Sequence, residues 1–113
     1  MWLFTTTGFI SIVEQDADYL IVRARDRLSL SLLAQSYEVE IRSTPAADYP
    51  YRLLLSKDQF KNYLHNQGGL INYKNFKSEV ATTRSKAFAN ILVKVWSAMH
   101  GVEDKQARSK NEA

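Results

Sequence analysis

The chain has 113 residues, 45% of them hydrophobic and 24% charged, with a formal net charge of +3 and no cysteine. That length supports one hydrophobic core and not two, and the lack of cysteine excludes disulfides, thiolate nucleophiles and cysteine-ligated zinc. No apolar run approaches the roughly 20 residues of a bilayer span, and the N-terminus has no basic region or cleavage site of a signal peptide, so a cytoplasmic protein is expected.

Trp2 to Gln15 reads as extended structure broken by a turn at Thr5-Thr6-Thr7-Gly8, where Gly8 supplies the backbone freedom of a tight turn. In the stretch after it, Phe9, Ser11 and Val13 face one way and Ile10 and Ile12 the other. Asp16-Ala17-Asp18 is a turn into a strand at Tyr19–Arg25, rich in aromatic and β-branched residues, and the two segments pair as a hairpin. From Asp26 to Gln35 two periods compete. Leu28, Leu30 and Leu32 alternate with serines like a strand, whereas the Leu, Ala34 and Gln35 content favours a helix with Asp26 as N-cap. Helix is the favoured reading.

Glu38-Val39-Glu40-Ile41-Arg42 reads as a half-exposed strand, and Tyr51–Leu55 pairs with it after a loop that holds both prolines. Ser56-Lys57-Asp58-Gln59 is a capping box opening a helix with Phe60, Tyr63 and Leu64 on one face, ended by Gly68-Gly69. A long helix is expected from Asn72, its N-cap, to Gly101. Its apolar stripe is Phe76, Val80, Ala87, Phe88, Ile91, Leu92, Val95, Trp96 and Met99, interrupted only around Thr83-Arg84. The expected architecture is a two-layer α+β domain over residues 1–101: a four-stranded, mostly antiparallel sheet of two hairpins, helices on one face, and a long C-terminal helix. Residues 102–113, small and charged, are expected to form a flexible tail.

Several ordered motifs resemble a family of short uncharacterised bacterial proteins. They are Met1-Trp2-Leu3-Phe4-Thr5 with Gly8-Phe9, Val22-Arg23-Ala24-Arg25, Asp48-Tyr49-Pro50-Tyr51-Arg52, Tyr73 with Asn75-Phe76-Lys77, and Val95-Trp96-Ser97 with Met99. Val93-Lys94 stands where members of that family often carry a histidine. The resemblance implies a compact intracellular domain and brings no activity with it.

Catalytic, metal and cofactor signals are weak. His65 and His100 are the only histidines and lack a converging set of further ligands. Glu38 and Glu40 share a strand face in the expected fold, which reads as a solvated edge more readily than as an acid–base pair. No nucleophile elbow and no phosphate-cradling glycine loop is present. No catalytic, metal or cofactor residue is therefore expected. The remaining candidates are cations that would meet an anionic partner. Arg23 and Arg25 share a strand face, where the plainer reading pairs them with Glu14, Glu38 or Glu40. Lys74 and Lys77 stand in the first turns of the last helix, where the dipole prefers acids. Arg84 and Lys86 follow them along the chain. Residues 72–113 hold eight Lys/Arg against four Asp/Glu, whereas residues 1–71 hold seven against eight.

The leading expectation is a non-enzymatic module that binds another protein. A nucleic-acid-binding accessory protein using the basic C-terminal helix is the alternative, and an enzyme of unknown type is third. No membrane partner is expected, and self-association through a sheet edge stays open.

Overall fold

A computed structural model describes residues 1–104. Five strands form the sheet: β1 (Trp2–Thr5), β2 (Gly8–Glu14), β3 (Tyr19–Ala24), β4 (Arg42–Ser43) and β5 (Tyr51–Ser56). Their spatial order is β1-β2-β3-β5-β4, and every neighbouring pair is antiparallel. The helices are α1 (Leu28–Tyr37), α2 (Lys57–Gly69), α3 (Phe76–Thr83) and α4 (Lys86–Ala98), with a 3-10 turn at Met99–Val102. The α+β class and antiparallel sheet agree with the expectation, but the strand count is five and not four. The turn at Thr6-Thr7 folds Trp2–Thr5 back onto Gly8–Ser11 as a strand of its own.

Pleat parity sorts the side chains. Ile10 and Ile12 on β2, Val22 and Ala24 on β3, and Leu53 and Leu55 on β5 are buried on one face, under Leu30 and Leu33 of α1 and Phe60 of α2. Burying each such aliphatic side chain stabilises the fold by about 1.5–3 kcal/mol, so this layer is the main source of stability. A second, smaller cluster joins Val80 of α3 to Ala89 and Leu92 of α4, with Phe4, Phe76 and Phe88 around them. Phe4 lies opposite Phe9 and so points away from the α1–α2 layer. Helices α1 and α2 thus share the expected face. The α3–α4 pair instead packs on Phe4 at the β1 edge of the sheet.

Residues 28–37 are helical, as favoured, but Asp26 is not the cap: Arg27 holds that position without a side-chain bond. The helix closes at Glu38, whose backbone is left-handed (φ 53°) so that its N–H reaches the carbonyls of Ala34 and Gln35. That reversal overturns the expected strand at 38–42. Val39 and Ile41 pack against the core without a ladder, and only Arg42–Ser43 pairs with β5. A β-carbon in the left-handed region costs about 1–2 kcal/mol. Glu38→Gly is therefore expected to stabilise the protein by roughly 0.5–1 kcal/mol after the unfolded chain's extra freedom is subtracted. Urea denaturation reads this, and a loss of stability would contradict the assigned backbone.

The capping box of α2 is formed: the Gln59 N–H donates to Ser56 Oγ at 3.0 Å and the Ser56 N–H to Gln59 Oε1 at 2.9 Å. Gly68 and Gly69 stay inside the helix, and Leu70 caps it. The expected long last helix is two helices. Asn75, not Asn72, caps the first, its Oδ1 accepting from the Ser78 N–H at 2.8 Å. The chain breaks at Arg84-Ser85, and Ser85 Oγ caps α4 by accepting from the Phe88 N–H at 3.0 Å. Helix α4 has 13 residues, and the 3-10 turn adds four. Most of the expected tail, residues 105–113, lies outside the described residues.

Candidate functional site

The six candidate cations occupy four different places. Arg84 is the one the fold turns inward. Its side chain is only 13% exposed and ion-pairs with Asp26, while Nη1 donates to the Thr7 carbonyl at 2.7 Å and its guanidinium covers the Phe88 ring at 4.2 Å. Ser29 completes the knot. Its Oγ donates to Asp26 and accepts from the Phe9 N–H at 3.2 Å. Burial pushes the Asp26 carboxyl up, but the hydrogen bonds from Ser29 and Arg84 outweigh it and hold the group below its ordinary value. Arg84 is thus a structural tie between the α3–α4 pair and the sheet, not the outward-facing cation expected of it.

Arg23 and Arg25 lie on the sheet face away from α1 and α2, both against one ring: Tyr49 has their guanidinium carbons 4.7 and 4.6 Å from its centroid. Tyr49 is itself 7% exposed, held down by these cations and by the Phe9 ring at 6.5 Å. The plainer pairing with glutamates is not what forms. Arg25 pairs with Asp48 at 3.0 Å, and Glu14 pairs with Lys57 at 2.8 Å. Arg23 Nη2 donates to Ser11 Oγ at 2.8 Å.

Register adds two arginines that sequence reasoning did not single out. Trp2 pairs with Ser11, Ser11 with Arg23, Arg23 with Arg52 and Arg52 with Arg42. One row therefore crosses all five strands, an indole at one end and three adjacent guanidiniums at the other. Like charges directly opposite each other on a sheet are unfavourable. Even so, none of the described carboxylates lies within 4.0 Å of Arg23, Arg52 or Arg42. The Nε atoms of Arg23 and Arg52 are buried without a hydrogen-bond partner among the described residues.

Lys74 and Lys77 stand elsewhere, beside an open groove of about 640 Å³ between the start of α3 and the flank of α4. Phe4, Phe76, Leu92, Val95 and Trp96 give it apolar walls. With Asn75 as cap, Lys74 precedes the helix and only Lys77 remains in its first turn, so the dipole misfit is halved. Helix α3 has eight residues against the 13 of α4, and α4 outruns it. Ile91, Val95, Trp96 and Met99 are consequently exposed, Trp96 at 67%. Lys86, at the start of α4, is exposed and does not line the groove.

Among the described residues no cluster of three or more His, Asp or Glu side chains is arranged to hold a metal, and no helix is long and apolar enough to cross a membrane. No family model, curated protein or solved structure matches the chain.

Proposed function

We propose that this protein is a binding module, not an enzyme, and that the groove between α3 and α4 takes an amphipathic helix of a partner protein with an acidic flank. The observation that carries this reading is the exposed apolar side of α4, with Trp96 67% exposed at the lip of a groove walled by Phe4, Phe76 and Leu92. A helix laid in such a groove anchors through apolar side chains at helical spacing, and Trp is the residue type most often found at energetic centres of interfaces. The rim decides the sign of the partner. Lys74 and Lys77 border the groove, so carboxylates alongside the apolar face of the incoming helix complement it, whereas a second copy of this chain would bring lysines to lysines.

The test compares proteins that co-purify with the wild type and with Trp96→Ala, then titrates the identified segment against both purified forms. Wild-type protein is expected to bind an acidic amphipathic segment, with Trp96→Ala weakening it at least tenfold and Lys74→Ala/Lys77→Ala flattening the salt dependence. Equal binding by Trp96→Ala would sink the reading. So would sedimentation showing a dimer that the same substitution dissociates, since the occupant would then be a second copy.

A further inference from the structure

We infer that the sheet face opposite α1 and α2 is a second binding surface, for a single-stranded nucleic acid, and that it is independent of the α3–α4 groove. The juxtaposition that carries it is the cross-strand row Trp2, Ser11, Arg23, Arg52, Arg42. Neighbouring strands lie about 4.8 Å apart, so the backbone positions of the three arginines span roughly 10 Å and those of the whole row about 19 Å.

Three features of that row point outward. First, positive charge is concentrated there without internal compensation. The side chains of Arg52 and Arg42 make no hydrogen bond or ion pair among the described residues, and that of Arg23 bonds only a neutral hydroxyl. Guanidinium forks of this kind bind phosphate oxygens in pairs, and a polyanion laid across the row relieves the repulsion that the sheet register imposes. Second, the tyrosine packing fixes one cation in place. Arg23 lies against Tyr49 and on Ser11, so it loses little further freedom when it meets a ligand. Third, the row ends in an exposed aromatic. Trp2 is 70% exposed, and its indole meets Phe9 edge-on (ring centroids 5.8 Å apart, interplanar 87°). Arginines for the phosphates with an indole for a base is the combination that grips single strands regardless of sequence. An acidic peptide would use the arginines and has no use for the indole, which is why nucleic acid is favoured. The cations this assigns are Arg23, Arg52 and Arg42. Lys86 and the C-terminal helix, the cations that the sequence alone offers a nucleic acid, have no place in it.

The experiment is fluorescence anisotropy of labelled oligothymidylate and oligouridylate across a salt series, with a glutamate-rich peptide as competitor. Wild-type protein is expected to bind, with log K falling linearly in log salt. Arg42→Ala, at an exposed position, and Arg52→Ala should each weaken binding about five- to tenfold and reduce the salt slope by nearly one contact. Lys86→Ala should change neither. In a Trp96→Phe background the remaining indole is Trp2, and the oligonucleotide should quench it. The proposal is overturned by absence of binding at low salt, or by equal affinity in wild type and Arg42→Ala. It is also overturned by a peptide that binds as tightly as the oligonucleotides while Trp2 stays unquenched, which would make the site one for acidic peptides.

Discussion

Gly8→Ala is expected to be the most damaging small substitution in the chain, lowering stability by about 3–5 kcal/mol from two separate causes. Gly8 has φ +153°, a region that side chains rarely enter, and strain there costs on the order of 1–3 kcal/mol. A β-carbon at this position would also lie 2.7 Å from Ser29 Cβ and 2.8 Å from Arg84 Nη1, and closer still to Ser29 Oγ. Neither neighbour can step aside, because Ser29 is hydrogen-bonded to Asp26 and Phe9 while Arg84 holds Asp26 and the Thr7 carbonyl. Guanidinium-chloride denaturation measures the loss. A change under about 1 kcal/mol would contradict the close approach of β2 and α1. Compared with Ser29→Ala alone, the Gly8→Ala/Ser29→Ala pair reads only the hydroxyl's share of the crowding, because the Ser29 Cβ and Arg84 Nη1 contacts and the φ penalty stay in place.

The second large effect is expected at Arg84. Breaking a fully buried ion pair costs about 3–5 kcal/mol. Asp26 keeps 42% of its side chain in solvent and can rehydrate, so Arg84→Ala is expected to cost nearer 2 kcal/mol. Part of that is the packing of the guanidinium on Phe88. Hydrogen exchange should localise the damage: amides of α3 and α4 lose protection more than those of β2, β3 and β5. The loss depends on pH in a defined direction. Asp26 has a depressed pKa in the folded state, so its contribution is fully present above its unfolded value near 3.8 and disappears as pH falls through the lower folded value. The gap between wild type and Arg84→Ala should therefore narrow below about pH 4. A gap that widens in acid would show that Asp26 is not the partner that matters.

What the chain reveals about itself divides along the range of the interactions. The box at Ser56 and Gln59 was legible because both halves lie within one turn, and the inward and outward residues of β2 because pleating is local. The break at Arg84-Ser85 left a visible trace, an interruption in the apolar stripe, but the partner that Arg84 takes there, Asp26, lies far back in the chain. Asn72 and Asn75 are equally good caps by type. Only the packing of Phe76 against Val80 and Phe4 places the helix start at the second. Glu38 to Arg42 alternates like a strand, yet the helix before it needed a left-handed residue to end on, and that need won. The arginine row was the least accessible. Each member sits in an unremarkable strand, and the three become neighbours only through the pairing of β3 with β5 and of β5 with β4.

The hydrogen bond from Arg84 to the Thr7 carbonyl spans 77 positions of the chain. The strand pairs β1–β2 and β2–β3, by contrast, close over a handful of residues each. Loop closure grows costlier with length, though slowly, and no tie to residue 84 exists until that residue has been synthesised. During synthesis, therefore, the three-stranded meander and its turn at Gly8 have every local partner while the knot at Ser29 still lacks its cation. Arg84 is a clasp that the emerging chain fastens late, just before α4 closes over Phe4.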